Sequence, residues 1–312
     1  LVLTALVAVS LFAASMADAE LIERGDLFVK FDGGIAPLAL PRNTNAPISV
    51  RVDGTIKTLS GDRPPALRWI TIAINRGGKI DTKGLPLCRR SQIDPATSQE
   101  ALATCGPALV GEGRYVGAVS LSEQNAFPLQ GRILAFNAIV NGKRAILAHV
   151  YGKNPVPNSR ILVFHIRHSG GTFGTILTAA LPVRLNHFGY LKKISLNLRR
   201  HFVYRGRVRS YLTAACAAPP GFASASFPFV RVAMTFSDGR KLASTLTRTC
   251  RVRSPSQHPR ARLAAPDTLR GASSSVGPMA LPLGLPASYP RSVRRSPVAH
   301  AGVETGSRRE HR

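Results

Sequence analysis

Apolar residues recur at every second position along much of the chain between residues 20 and 253. Ile48, Val50 and Val52 alternate with Ser49 and Arg51, and Ile70, Ile72 and Ile74 alternate with Trp69, Thr71 and Ala73. A period of two sends successive side chains to opposite faces of an extended chain, so such runs predict strands with one buried face. Further strands are expected over 108–121, 132–140, 144–151, 161–167, 172–181, 191–205, 229–236 and 241–248. Val52-Asp53-Gly54, Asn141-Gly142 and Asp238-Gly239 read as hairpin turns between them. About ten short strands with this punctuation predict an all-β fold, an antiparallel sandwich that is either one large or two small.

One short helix interrupts the pattern. Asp94 can cap it, Pro95 suits its first position, 96–103 holds good helix formers and Gly106 lies beyond its end. It reads as a lid on the sandwich edge.

The two ends of the chain depart from the alternation. Leu1 to Ala17 carries no charge, and the small residues Ala17 and Ala19 fit an A-x-A cleavage site, so residues 1–19 are expected to be a signal peptide. Residues 20–253 form the expected β-sandwich region, with 20–123 and 124–253 as an alternative division into halves. The stretch 254–312 holds eight Pro and nine Arg, with no Lys and no Phe. Such a composition buries too little surface to offset chain entropy, so a disordered basic tail is expected there. Its abrupt change also fits read-through or frameshifted translation.

Export changes the reading of the cysteines. Cys88, Cys105, Cys216 and Cys250 are an even set in a chain destined for an oxidising compartment, which predicts two disulfides with three pairings open. Local pairing, Cys88 with Cys105 and Cys216 with Cys250, closes the shortest loops. By loop-closure entropy these bridges would contribute about 3 and about 4 kcal/mol. Metal binding by these residues is disfavoured, because there is no C-x-x-C pair and no His within a few residues of any Cys.

The residues assembled so far resemble a group of exported, uncharacterised actinobacterial proteins with two cysteine pairs and a β-rich body. The resemblance rests on Phe31-Asp32-Gly33-Gly34, Leu40-Pro41-Arg42, Gly84-Leu85-Pro86-Leu87-Cys88 and Ala108-Leu109-Val110-Gly111-Glu112-Gly113. It continues through Leu134-Ala135-Phe136-Asn137, Phe173-Gly174, Asp238-Gly239 and Cys250-Arg251-Val252-Arg253. It covers roughly residues 20–253, and its members end near the last cysteine. The resemblance implies export and β architecture, and brings no known activity, cofactor or catalytic residue.

Charge narrows the chemistry. The formal net charge is +26, and the 114 residues between Glu123 and Asp238 carry 15 Lys and Arg but no acid. Five of the eight histidines fall in that block and have no carboxylate near them in sequence. There is no G-x-S-x-G elbow, and a triad would need an acid such as Asp53, Asp62 or Asp81 to arrive through space. His165 and His168, three apart on a strand, point to opposite faces and would not share one ion. No metal and no cofactor is expected, and the glycine-rich Ser169 to Gly174 reads as a loop.

The strongest local signal is 191–209. Read as one uninterrupted strand, it places Ile194, Leu196, Leu198, Phe202 and Tyr204 on one face. Lys193, Arg199 and Arg205 then share the opposite face, and Arg207 and Arg209 continue its parity. Cations about 6.7 Å apart, twice the strand rise, would match a repeating polyanion. The partners expected are an anionic cell-envelope polymer, an acidic glycan or phospholipid head groups. Specific nucleic-acid binding is not expected, because the aromatic residues are not interleaved for base stacking. The sequence therefore points to a secreted or envelope-associated, non-enzymatic binding or structural module. The alternatives are a secreted hydrolase using a His and a carboxylate from residues 20–123, or an assembly subunit that pairs its two oppositely biased halves between chains.

Overall fold

The computed structural model describes residues 19–120, 125–154, 157–181 and 189–253. The expected signal peptide, but for Ala19, and the expected tail from 254 lie outside them. The described chain is β-rich, with a single short helix. Its strands are β1 (Glu20–Arg24), β2 (Leu27–Ala36), β3 (Ala39–Leu40), β4 (Ala46–Pro47), β5 (Ser49–Thr58), β6 (Leu67–Asn75) and β7 (Gly78–Ile80). After helix α1 (Ser98–Cys105) come β8 (Leu109–Val119), β9 (Phe127–Val140), β10 (Lys143–Gly152), β11 (Asn158–His168) and β12 (Phe173–Ala180). The series ends with β13 (Gly189–Leu198), β14 (His201–Tyr204), β15 (Arg207–Ser210), β16 (Leu212–Ala214), β17 (Ser224–Phe236) and β18 (Lys241–Val252).

Thirteen of these form one sheet in the order β1-β2-β5-β13-β8-β9-β10-β11-β12-β6-β17-β18-β3. All its pairs are antiparallel except β18 with β3. Strands β2 and β3 are separated by only Pro37 and Leu38, yet they stand near opposite ends of this order. The sheet must therefore curl until its two edges meet. The seam between them is closed differently along its length. At one end β1 fills it, with the Arg24 guanidinium donating to the Lys241 carbonyl (2.9 Å) and the Ser244 hydroxyl donating to Glu20 (3.3 Å). In the middle, buried Arg248 donates to the Gly33 carbonyl (2.6 Å) and the Asp32 carboxylate (2.6 Å). At the far end β3 pairs directly with β18. Closure of this kind satisfies edges that would otherwise template aggregation.

Strand parity then decides what lies inside. Phe31 of β2 is paired with Gly54 of β5, and Gly54 with Ile194 of β13. Ile194 is paired with Tyr115 of β8, and Tyr115 with Gly131 of β9. Paired residues point to the same side, so one face of the sheet is apolar around the whole ring, and it faces inward. On β8, Gly111 and Gly113 occupy inward positions where a Cβ would fall 2.8 Å from the Asn197 carbonyl oxygen and 2.1 Å from that of Ser195. Only glycine permits the two backbones to approach so closely, and this allows the tight bend there. The two apolar layers expected of a sandwich are thus opposite walls of one curled sheet. Strands from 20–123 and from 124–253 alternate around it, as β5 beside β13 beside β8 and β12 beside β6 beside β17, and they share one core.

Helix α1 covers the outside of the ring rather than its edge. Ala101 and Cys105 pack with Leu134, Phe136, Ala138 and Leu147 on the outward face of β9 and β10, forming a second core. The expected cap is corrected: the N-cap is Thr97, which accepts from the Glu100 N–H (3.2 Å) while the Glu100 carboxylate accepts from the Thr97 N–H (2.7 Å). Asp94 instead pairs with Arg90 at 2.9 Å. Asp53-Gly54 is not a turn but lies within β5, where Gly54 leaves room for Ile194. Asn141-Gly142 is a turn, with both residues at positive φ (51° and 72°), and Asp238-Gly239 is another.

Both disulfides join the expected partners, Cys88 to Cys105 and Cys216 to Cys250. The first ties α1 to the segment before it. The second anchors to β18 the chain that follows a small three-stranded sheet, β4-β16-β7. That sheet supplies Ile80, Leu212 and Ala214 to the main core and caps one end of the ring.

Candidate functional site

Inside the ring is a lumen of 270 Å³ whose wall is almost wholly hydrocarbon. Val50, Val52, Ile72, Phe164, Ile194 and Leu196 represent the strands that build it, and all are apolar residues that strand alternation turns inward. An eight-stranded ring is just wide enough for its own side chains to fill, whereas wider rings enclose cavities. The ring here has eleven strands, from β2 around to β18, with β1 in the seam. Width alone therefore accounts for the space. At about 24 cal/mol per Å³, an empty apolar void of 270 Å³ would cost about 6 kcal/mol, comparable with the whole net stability of many domains. The apolar wall offers water few hydrogen-bond partners that would offset this cost.

The arrangement is the reverse of a membrane-spanning barrel, which carries an apolar band outside and a polar lumen. Here the outward positions hold Lys30, Arg51, Asp53, Arg114, Lys193 and Arg231, in register with one another across neighbouring strands or on the same ring. No helix among the described residues is long and apolar enough to cross a membrane.

At the capped end, Tyr211 stands in the lumen wall. Its backbone is pinned on both sides: its N–H donates to the Arg200 carbonyl (2.8 Å) and its carbonyl accepts from the Asp81 N–H (2.8 Å). The side chain is 0 % exposed, and its hydroxyl has no hydrogen-bond partner among the described residues. Burial pushes the phenol far above its ordinary range, so the group remains a donor.

The five cations singled out in the sequence are not one row. The strand expected over 191–205 breaks after Leu198, and the chain turns into the hairpin β14–β15, so the single register is corrected. Lys193 lies on the outward face of β13 between Thr55 and Val116. Arg199 is exposed just past the end of that strand, its N–H donating to the Val110 carbonyl (3.0 Å). Arg205, Arg207 and Arg209 are brought together on the hairpin. Arg205 (φ 51°) and Gly206 (φ 72°) form its turn, and the guanidinium groups of Arg205 and Arg209 lie over the Tyr204 ring at 5.3 and 5.9 Å. Arg209 is neutralised by Asp81 at 2.5 Å. The hairpin docks through Tyr204 onto Gly84, where any side chain would collide with the ring. Its opposite face leaves Val203 and Val208, a cross-strand pair, 68 % and 75 % exposed.

The hydrolase alternative finds its nearest approach in Ser159 and His149, whose Oγ and Nε2 are 3.2 Å apart. The same Nε2 lies 2.9 Å from the Ala96 carbonyl, which can only accept, so Nε2 carries the proton. The imidazole lone pair is then on Nδ1, turned away from Ser159 and without a hydrogen-bond partner among the described residues. A base that cannot accept from its serine does not activate it. The ring is also fully buried under α1, and that burial lowers its pKa. This His is structural. Asp53 pairs with Arg51 and Asp81 with Arg209, and among the described residues neither has a histidine as a hydrogen-bond partner. His165 and His168 sit exposed on β11, and no group of three or more His, Cys, Asp or Glu among the described residues could hold a metal ion.

No protein-family model matches the chain, and neither a curated protein nor a solved structure matches it. The functional argument therefore rests on the geometry alone. Sequence alternation places wall residues such as Val50, Val52, Ile70, Ile72, Ile74, Ile194 and Leu196 on single strand faces, but it could not reveal that they surround a space instead of packing against one another. Tyr211 was not distinguished at all, because it stands between strands in no regular pattern.

Proposed function

We propose that this chain is an extracytoplasmic, non-enzymatic binding module that encloses the hydrocarbon portion of a small molecule within its curled sheet. The observation that carries the reading is the 270 Å³ apolar lumen. A 150 Å³ apolar cavity accommodates benzene, so by proportion this lumen suits a chain of roughly ten carbons. Two disulfides support an oxidising compartment and hence a secreted or envelope location. The test is titration of the purified, delipidated protein with a neutral naphthyl fluorophore. Saturable binding with one site per chain, competed by medium-length hydrocarbons, is expected. Unsaturable partition, or emission no different from that in buffer, would refute the reading.

A second reading is favoured by the exposed arginines near and on the hairpin. Arg199, Arg205 and Arg207 have no carboxylate partner among the described residues. They, rather than a five-membered row with Lys193 and Arg209, are the groups proposed to meet an anionic envelope polymer, an acidic glycan or phospholipid head groups. Binding to such polyanions should weaken steeply with salt. Charge reversal of Arg205 and Arg207 together should abolish it, while reversal of Lys57 and Lys143 leaves most of it. Equal losses from both pairs would show that net charge alone attracts the polymer.

A further inference from the structure

The hairpin β14–β15 turns apolar side chains toward water and carries a cation at a strained position. Strand pairing sorts its residues onto two faces. Phe202 pairs with Arg209 and Tyr204 with Arg207 on the face that docks on the body: Tyr204 packs on Gly84, Phe202 lies against the main core, and Arg209 meets Asp81 at 2.5 Å. Val203 pairs with Val208 on the other face, which stays open to solvent. At 68 % and 75 % these two are the most exposed large hydrophobic residues among those described, and being adjacent across the strands they form one patch. The turn is as unusual. Arg205 and Gly206 both have positive φ, the signature of a type I′ turn, where asparagine and glycine are favoured. A long side chain at such a φ is sterically disfavoured, yet an arginine is held there, exposed at the tip. Arg207 and Arg199 are exposed as well, and none of the three has a carboxylate partner among the described residues. With no Asp or Glu between Glu123 and Asp238, the chain on either side of the hairpin supplies no counter-charge.

We propose that the hairpin is a membrane-surface anchor: Val203 and Val208 enter the head-group boundary of an anionic phospholipid bilayer while Arg199, Arg205 and Arg207 meet its phosphates. This rests on the reading of these arginines as an anion-binding group and commits it to one partner, a lipid surface. An acidic polymer would satisfy the arginines but gives no reason to expose two valines beside them. A bilayer surface offers both chemistries at once, an anionic layer with hydrocarbon just beneath it. Arg205 and Arg207 flank the valine patch at the turn, and their long side chains reach phosphates while the short valines lie deeper. Neither signal is strong alone. Two small side chains bury little area, and each basic residue near an anionic surface adds a modest increment, so attachment needs both and is reversible.

The experiment is co-sedimentation of the full chain with vesicles of phosphatidylglycerol and phosphatidylcholine in equal parts, beside binding to dextran sulfate, a polyanion without hydrocarbon. Val203→Thr with Val208→Thr keeps β-branched side chains of the same shape and replaces one methyl of each by a hydroxyl, so the strands persist. This pair is expected to weaken vesicle binding about tenfold and to leave dextran sulfate binding unchanged. Arg205→Asn with Arg207→Gln supplies the Asn-Gly pair that a type I′ turn prefers, so this variant folds as well. It is expected to weaken vesicle binding about thirtyfold, and dextran sulfate binding with it. Lys57→Gln with Lys143→Gln removes the same charge elsewhere and should cost only about twofold on either ligand, which measures the general attraction of a basic chain. Vesicle binding that the valine pair leaves unchanged, while the arginine pair weakens both ligands, overturns the anchor and leaves the polyanion reading standing. Equal losses from the arginine and lysine pairs overturn the polyanion reading, and the anchor with it.

Discussion

The lumen makes a prediction in which one substitution has opposite signs at two buried sites. Ala148 on β10 points into the lumen beside Ile133 and Tyr115 and is only 8 % exposed. Ala101 on α1 is 0 % exposed and packed between the helix and the sheet, away from the lumen. Leucine adds three carbons at either position. At Ala148 these enter empty apolar space, where each buried methylene contributes about 0.8 kcal/mol, or about 2.4 kcal/mol in all. Ordering the new side chain takes back about 0.5–1 kcal/mol, so Ala148→Leu should stabilise by about 1.5 kcal/mol. For a body of this size that raises Tm by about 3–6 °C. At Ala101 no space exists, and the same three carbons must displace the helix or strain their own rotamers, at a cost of about 1–3 kcal/mol. Urea unfolding followed by circular dichroism measures both. Ala148→Leu should also weaken the naphthyl fluorophore, because it consumes the volume that the probe needs. If both variants are destabilised alike, the wall of the ring is as tightly packed as the helix interface and the void argument fails.

Three further outcomes follow from the structure. Arg248→Ala removes the buried guanidinium that holds the Gly33 carbonyl and the Asp32 carboxylate at the seam, while Asp32 keeps Arg51 at 3.5 Å, and should cost about 1–3 kcal/mol in urea unfolding; a loss indistinguishable from zero would show that β1 and β3 close the seam unaided. Burial lowers the pKa of His149, so the unfolded chain binds the proton more readily than the folded one; stability is complete above about pH 6.5 and falls as pH drops through that value. His149→Gln should flatten this slope, and an unchanged slope would assign it elsewhere. Non-reducing peptide mapping should recover Cys88 with Cys105 and Cys216 with Cys250, and a crossed peptide would contradict the placement of the cap.

The fold was legible to the extent that parity was. The strands expected from alternation exist, because a half-buried strand must repeat with a period of two, except that the single one over 191–205 is divided into β13 and β14. What the pattern missed were segments in which glycine or brevity hides the period. Strand β2 contains Gly33 and Gly34, and the inward role of Gly33 is visible only from its partner Val52. The cap strands β4, β7 and β16 have only two or three residues each, too few to show any period. The break after Leu198 was missed for a related reason. Arg199 and Arg200 preserve the polar spacing although the chain has left the sheet, and the φ > 0 turn at Arg205-Gly206 was read as part of a strand and the step beyond it. The helix cap was misplaced by three residues because Asp94-Pro95 imitates a start, whereas Thr97 and Glu100 carry the reciprocal capping pair.

The charge asymmetry is also reinterpreted by the topology. A block of 114 residues with 15 cations and no acid looks, in sequence, like one continuous basic surface. Interleaving the strands disperses it. Arg132 of β9 lies next to β8 and pairs with Glu112 (2.5 Å), and Arg209 of the hairpin reaches Asp81 (2.5 Å). Both acids come from the balanced segment 20–123. The Lys and Arg that remain without such partners are therefore set by which strand lies next to which, and composition could not identify them. Lys193 and the hairpin arginines share a parity in sequence but sit on different parts of the structure. The inner face behaves in the opposite way. Residues far apart in the sequence, such as Val29, Ile72, Phe164, Leu196 and Val232, converge on one lumen because ring closure turns a single apolar face inward. Closure thus scatters the outward charges and gathers the inward apolar residues, and for that reason the lumen, rather than the basic block, is the feature of this chain best suited to recognise one particular molecule.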